Sequence, residues 1–272
     1  LFTRDYISDF FKIPKKKVLF YEHHFSHAAS SYYCSDFKKS DLLTIDGVGE
    51  WCTTSFGTVD NDNLKRSHSI DFPNSIGLLY SAFTEFLGFE VNEGEFKVMG
   101  MAPYGKPKYL EKINKLFKSN DINFELDLSY FNFELESNTN LTDKFLREFG
   151  ERRKYNEIFF INKYKEDLEI KDLELDKSII EKSQYYADIA ASLQEYLENM
   201  LVNFVRKLNS QTKNRNLCYA GGVAYNGSIN QKIIKSKIYD NVFIQPAAGD
   251  SGGSLGCALG TNFLLTKKRI NY

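Results

Sequence analysis

The chain has 272 residues, 42% hydrophobic and 15% aromatic, which is enough apolar area for a sizeable core and excludes intrinsic disorder. Its 17 glycines and 5 prolines exclude a collagen-like or low-complexity chain. With 35 basic and 36 acidic residues the net charge is −1, so no global field draws it to nucleic acid or to an anionic membrane.

Taken in chain order, Phe2, Tyr6, Phe10 and Phe11 fall at helical spacing and predict a helix over residues 1–12. Arg4, Asp5, Asp9 and Lys12 interrupt any apolar run there, so no leader peptide is expected. The basic run Lys15-Lys16-Lys17 reads as a solvated rim, and Lys17 to Tyr21 as a short strand. Phe25 to Tyr33 predicts a helix carrying the small residues Ala28, Ala29 and Ser30. Asp41 to Asp46 predicts a buried strand ending in the loop Gly47-Val48-Gly49. Ser55–Val59 and Leu64–Ile70 read as further strands joined by the turn Asp60-Asn61-Asp62-Asn63. Ser75 to Leu87 predicts an apolar helix stopped near Gly88, followed by a compact loop from Asn92 to Gly105.

Residues 118–180 are charged, aromatic and poor in motifs; they read as an insertion or subdomain that shapes a cleft, with Ile122–Leu128 as a half-exposed strand. The last ninety or so residues are better organised. Ser183–Leu208 predicts a long amphipathic helix. Strand Asn216–Ala220, a loop from Gly221, helix Ser228–Ser236, strand Asn241–Gln245, loop Ala247–Ser254 and helix Leu255–Leu265 follow. Each glycine-rich loop stands at the C-terminal end of a strand, where open α/β sheets bind ligands. No stretch of about 18 apolar residues occurs, so no membrane span is expected. Cys34, Cys52, Cys218 and Cys257 form no CxxC pair, which suits a reducing cytoplasm.

Chemistry concentrates in four places. Three of the four histidines lie in His23-His24-Phe25-Ser26-His27. If that segment is helical, His23 and His27 share a face and can share a metal; a polar helix start is the competing reading. His24 stands where the zinc-protease motif requires its glutamate base, so a peptidase is not supported. Asp46-Gly47-Val48-Gly49-Glu50 is an acid at a strand end followed by glycines that expose backbone N–H groups to a phosphate; an Asp-Gly hairpin turn explains it as well. Ala220 to Asn226 and Gly249 to Ser254 are glycine loops suited to an anion or to close helix–strand packing. His23, His27, Asp46 and Asp250 together would make an N₂O₂ set for a divalent first-row metal.

These segments occur as His23–Ser30, Leu43–Trp51, Asn92–Gly105, Leu217–Asn226 and Gln245–Gly256. In that order the chain resembles the O-carbamoyltransferases of nodulation-factor and antibiotic biosynthesis over residues 23–256. The resemblance implies an α/β, actin/sugar-kinase-like ATPase fold (ASKHA), related to the tRNA threonylcarbamoyl transferase. It implies a divalent metal of the iron type (Fe2+), held by His23, His27, Asp46 and Asp250. It also implies a nucleotide, ATP or carbamoyl adenylate, contacted by Gly47, Val48, Gly49, Gly221, Gly222, Asn226 and Gly249. Glu95 and Lys97 are candidates for the carbamoyl or phosphate end. His24 is a candidate base or phosphate contact, set against a simple structural role. The expected reaction passes a carbamoyl group, derived from carbamoyl phosphate, to a hydroxyl of a small-molecule or sugar acceptor. A tRNA-directed transferase is the first alternative, opposed by the neutral charge and absent basic stripe. The second is an inactive remnant that only binds. In the family a strand-hairpin precedes the histidines by about a hundred residues and a carbamoyl-adenylate-forming domain follows. Here 22 residues precede His23 and the chain ends at Tyr272, so a partial domain is expected, completed by missing flanks or a separate chain.

Overall fold

The computed structural model describes residues 2–119, 122–134, 139–161 and 176–270. Its frame is a five-stranded mixed sheet built from β1 (Lys39–Gly49), β2 (Cys52–Asp60), β3 (Asn63–Asp71), β6 (Asn216–Ala220) and β7 (Asn241–Ile244), in the order β3-β2-β1-β6-β7. The first three strands form an antiparallel meander. β6 pairs parallel to β1, with Asp41 opposite Leu217 and Thr44 opposite Ala220, and β7 continues parallel to β6. Central β1 is therefore paired on both flanks, and its run Ser40–Ile45 is buried throughout, the one charge in it, Asp41, being satisfied by Thr212, Asn214 and Tyr239.

Side-chain alternation sends Leu42 and Cys218 to one face and Leu43, Ile45, Leu217 and Tyr219 to the other. The first face is covered by α2 (His23–Cys34) and α9 (Gly253–Thr266), through Ala28, Ala29, Tyr32, Tyr33 and Leu259. The second carries α3 (Ile76–Phe86), the 36-residue α7 (Lys177–Thr212) and α8 (Gly227–Lys235). The result is three layers, helix on sheet on helix. Ser75 caps α3 by accepting from the Leu78 N–H, and Asp176 caps α7 by accepting from Ser178. Among the described residues no helix is long and apolar enough to cross a membrane.

Several local expectations are corrected. Lys15–Lys17 form a single 3₁₀ turn and 18–22 pair with no strand, because β-prone composition makes a strand only where an edge is available. α1 (Thr3–Phe11) precedes them, as its spacing suggests. Gly47–Gly49 do not leave the sheet: β1 runs through them, with a register break between Ile45 and Gly49. The segment expected as a loop after Asn92 holds α4 (Glu95–Met101) and a 3₁₀ turn at Ala102–Tyr104, since Val98 and Met101 are spaced to bury together.

In the 118–180 block, residues 120–121, 135–138 and 162–175 lie outside the described residues. Of the expected strand Ile122–Leu128, only Glu125–Leu126 (β5) pairs, with Phe117–Ser119 (β4). α5 (Leu110–Asn114) precedes β4, and α6 (Asp143–Phe149) follows β5. Phe145 and Phe149 of α6 pack edge-on to Phe83 of α3, at 5.3 and 5.4 Å between ring centres. The block thereby joins the same apolar core as the sheet's second face.

Candidate functional site

Four side chains far apart in sequence meet at the end of β1. Helix α2 begins at His23 and so includes both histidines; its period puts His23 and His27 one turn apart on one face. Asp46 projects from β1, and Asp250 stands on the 3₁₀ turn that leads into α9. Asp46 Oδ2 lies 2.9 Å from His23 Nε2 and 2.7 Å from His27 Nε2. The two Nε2 atoms are 3.0 Å apart, and Asp250 Oδ1 stands 3.3 and 3.6 Å from them. One ligand atom from each residue fits within 4.8 Å of all the others.

These separations suit a divalent cation. Ligands about 2.0–2.1 Å from one ion stand about 3.0 Å apart at right angles and about 3.4 Å apart at tetrahedral angles. Two imidazole nitrogens facing one carboxylate oxygen also oppose their lone pairs unless a proton or a cation lies between them. His27 is 1% exposed, and its Nδ1 is buried with no hydrogen-bond partner among the described residues. A cation at Nε2 would place the ring proton on that unpartnered Nδ1. The outer support that metal-binding histidines commonly draw from an acceptor is thus missing at His27.

That support is concentrated on Asp46. Its Oδ1 accepts the Gly47 N–H at 2.8 Å and the Gly222 N–H at 3.2 Å, leaving Oδ2 to the imidazoles. Burial pushes the Asp46 carboxyl up, but the hydrogen bonds from His23 and His27 outweigh it. The group is held well below the usual carboxylate range. The bond to Asp46 in turn raises His23, against the opposing effect of burial. Glu50 accepts from the His23 backbone N–H through both oxygens, at 3.1 and 3.3 Å, and so caps the start of α2. Gly221, at φ +97°, has no room for a Cβ against the Ile45 backbone, which lets the turn after β6 close over the end of β1.

A cavity of about 570 Å³ adjoins the cluster, within the range of small-molecule sites. It is bordered by Asp46, Gly47 and Gly222, and further out by Tyr80, Glu95, Phe96, Tyr225 and Asn226. Glu95 Oε1 accepts from the Ser81 hydroxyl at 2.9 Å and from the Asn92 N–H at 3.0 Å, so this carboxylate also ties α3 to α4. Asn226 caps α8, accepting from Ile229, and pairs with Gln194. Gly249 packs against Tyr225, where a Cβ would meet the ring at 2.8 Å. Val48 is exposed and does not border the cavity.

Two candidates lie elsewhere. Lys97 is exposed, with Nζ over the rings of Phe89 and Phe96, and is not part of the cavity wall. His24 turns away from the cluster and is buried against β1 and β2. Its Nδ1 meets the Thr44 hydroxyl at 2.6 Å and its Nε2 the Cys52 carbonyl at 2.9 Å. The carbonyl can only accept, so the proton sits on Nε2 and Thr44 donates to Nδ1. Burial brings the ring's pKa down to about 4, which keeps it neutral. Both nitrogens are committed to the frame.

Four further residues serve the site. Glu50 and Tyr225 stand inside the motifs Asp46–Glu50 and Ala220–Asn226, but their contacts with His23 and Gly249 are set by the fold and not by spacing. Tyr80 and Gln194 carry no motif and are found only through what they touch.

A family model described as "Carbamoyltransferase N-terminus" matches residues 3–259. The chain is 40% identical over 247 residues to the protein sll1178 of Synechocystis sp., covering 89% of this chain and 36% of that one. It is 31% identical over 252 residues to nodulation protein NolNO of Sinorhizobium fredii, covering 91% and 32%. It is also 31% identical over 238 residues to nodulation protein NolO of Bradyrhizobium diazoefficiens, covering 87% and 37%. The chain spans about a third of the length of these curated relatives. Among solved structures, T. kodakarensis HypF is similar at a TM-score of 0.46 and 18% identity, over 96% of this chain and 38% of that one. With the family model spanning nearly all of the chain, this protein belongs to the carbamoyltransferase N-terminus family.

Proposed function

We propose that this chain is the metal-binding part of an O-carbamoyltransferase. It would pass a carbamoyl group, made from carbamoyl phosphate and ATP and delivered as carbamoyl adenylate, to a hydroxyl of a small-molecule or saccharide acceptor. The observation that carries this reading is the meeting of His23, His27, Asp46 and Asp250 beside a cavity of substrate size. Membership of the family supports the class of reaction. The mixed sheet, with an acid near the C-terminal end of its central strand, is compatible with an actin-like domain. The 118–180 block is the cleft-shaping subdomain of this proposal, and the adenylate-forming step belongs to a further domain or chain.

A divalent cation of the iron type would be held by the two Nε2 atoms, Asp46 Oδ2 and Asp250 Oδ1. When bound there it supplies Lewis acidity to a phosphate or carbonyl oxygen. The chain's own residues do the rest. Asp46 Oδ1, fixed by two backbone N–H groups, keeps the second oxygen aimed at the cluster. Gly47, with open space where a Cβ would stand, leaves the backbone at the cavity wall open to an anion, whereas glycine at 221, 222 and 249 serves close packing against Ile45, Asp46 and Tyr225. Tyr80, Phe96, Met99, Val223 and Tyr225 make the cavity wall largely apolar, which sheds water from the reacting carbamoyl–phosphate anhydride.

The test supplies carbamoyl adenylate directly, so the adenylate-forming step is not needed. The protein should carry one divalent metal per chain and release AMP with formation of an acceptor carbamate. His27→Ala should lose both. Transfer that persists unchanged in metal-stripped protein would remove the basis of this reading, and transfer to tRNA alone would redirect it.

A further inference from the structure

Behind the cavity wall at Tyr80 and Asn226 lies a hydrogen-bond network that the cluster itself does not require. The amide of Gln194, on α7, is 5% exposed and makes four hydrogen bonds. Its Nε2 donates to Glu198 Oε1 at 2.9 Å and to Asn226 Oδ1 at 3.0 Å. Its Oε1 accepts from Asn226 Nδ2 at 2.9 Å and from the Tyr80 hydroxyl at 3.1 Å. Those bonds use the full capacity of the amide, and no other side chain of that size offers two donors and an acceptor there.

The orientation of the pair is fixed from both ends. Glu198, paired with Lys232 at 3.2 Å, presents acceptors only, so Gln194 must turn its nitrogen toward it. The Ile229 N–H, 3.1 Å from Asn226 Oδ1, can only donate, so Asn226 must turn its oxygen toward α8. The two constraints agree. Asn226 ends the 3₁₀ turn Gly222–Tyr225, and its own N–H returns to the Val223 carbonyl at 3.0 Å. The first residue of that turn is Gly222, whose N–H holds Asp46 Oδ1.

Resting on the metal reading above, we propose that Gln194 is a positioning residue for the His23–His27–Asp46–Asp250 cluster. By locking Asn226 it fixes the turn that presents the Gly222 N–H to Asp46, and so keeps Oδ2 free for the cation. Outer support for the site then reaches it through Asp46, since His27 Nδ1 has none among the described residues. Capping of α8 alone needs only Asn226 Oδ1 and leaves the remaining bonds of Gln194 without a purpose.

The experiment titrates Co²⁺ into metal-free full chain and reads its visible absorption, with the thermal midpoint of the metal-free protein measured in parallel. Gln194→Met keeps the length of the side chain and loses its hydrogen bonds. Leu208→Ala, toward the far end of α7, serves as a stability control. Gln194→Met should weaken Co²⁺ binding about tenfold, whereas Leu208→Ala should lower the midpoint and bind as the wild type does. If Gln194→Met does not fold, Tyr80→Phe removes one of the four bonds and should weaken binding in the same direction, by about threefold. Unchanged Co²⁺ affinity in a folded Gln194→Met, or in Tyr80→Phe where that variant stands in, overturns the proposal and makes the network a fold support only. A wild type that takes up no Co²⁺ overturns the metal reading itself, and this inference with it.

Discussion

Gly49 lies against the ring of His23: a Cβ at position 49 would overlap the imidazole and stand 2.7 Å from His23 Cβ. The place of the histidine in the cluster therefore depends on a missing side chain on the strand. Gly49→Ala should displace His23 from Asp46 and weaken divalent metal binding by tenfold or more, on the order of 1.4 kcal/mol. Its effect on overall stability should be smaller, because residue 49 ends the strand. Calorimetric metal titration beside a thermal melt separates the two.

α2 and α9 touch through glycine in the same way. A Cβ on Gly256 would overlap the Ser26 carbonyl and lie 3.0 Å from the Ser30 nitrogen. Gly256→Ala must push the helices apart, at a cost of about 1–3 kcal/mol. Because α2 carries the histidines and α9 follows Asp250, the same change should loosen the cluster. Chemical denaturation should show a lower midpoint, and metal affinity should fall with it.

Phe83 is fully buried and meets Phe145 and Phe149 edge-on. It joins the block after residue 118 to α3. Phe83→Ala should cost about 3–5 kcal/mol, read by urea unfolding.

Asp127 and Lys144 pin the same block, with Nζ 2.9 Å from Oδ2 and 3.9 Å from the Tyr130 ring centre. Burial raises the Asp127 carboxyl, but bonds from Lys144 and from the Ser129 hydroxyl and amide outweigh it, and it titrates at about 2. Its folded pKa is depressed, so its contribution to stability is present above the unfolded value near 4 and is lost as pH falls through about 2. With the Asp127 side chain 26% exposed, solvent screening reduces that contribution to about 1 kcal/mol. Asp127→Asn should cost that much at pH 7 and progressively less below pH 4, which denaturation at a series of pH values would show.

Much of this was legible in residue patterns, for identifiable reasons. The sheet's second half follows from two β-runs that each lead into a glycine-containing loop, and α7 from its apolar stripe. The convergence of His23 and His27 needs only helical spacing; their meeting with Asp46 and Asp250 needs the strand order, which spacing does not contain. His24 shows the limit. Its neighbours are site residues, yet one helical step of about 100° turns it into the wall between β1 and β2. The helix after Asn92 was hidden by glycines at 94, 100 and 105, which read as loop until Val98 and Met101 find a core to fill. Gln194 was invisible because an amide on a helix says nothing until its four partners are known.

β1 is hydrogen-bonded along both edges from Asp41 to Thr44, and Asp46 follows two residues later on the same strand. The amides of Leu42–Ile45 should accordingly exchange with deuterium among the slowest in the molecule, since they open only with the whole sheet. The carboxylate at the heart of the cluster thus rides on the last element to melt, and partial unravelling of the periphery leaves it in place.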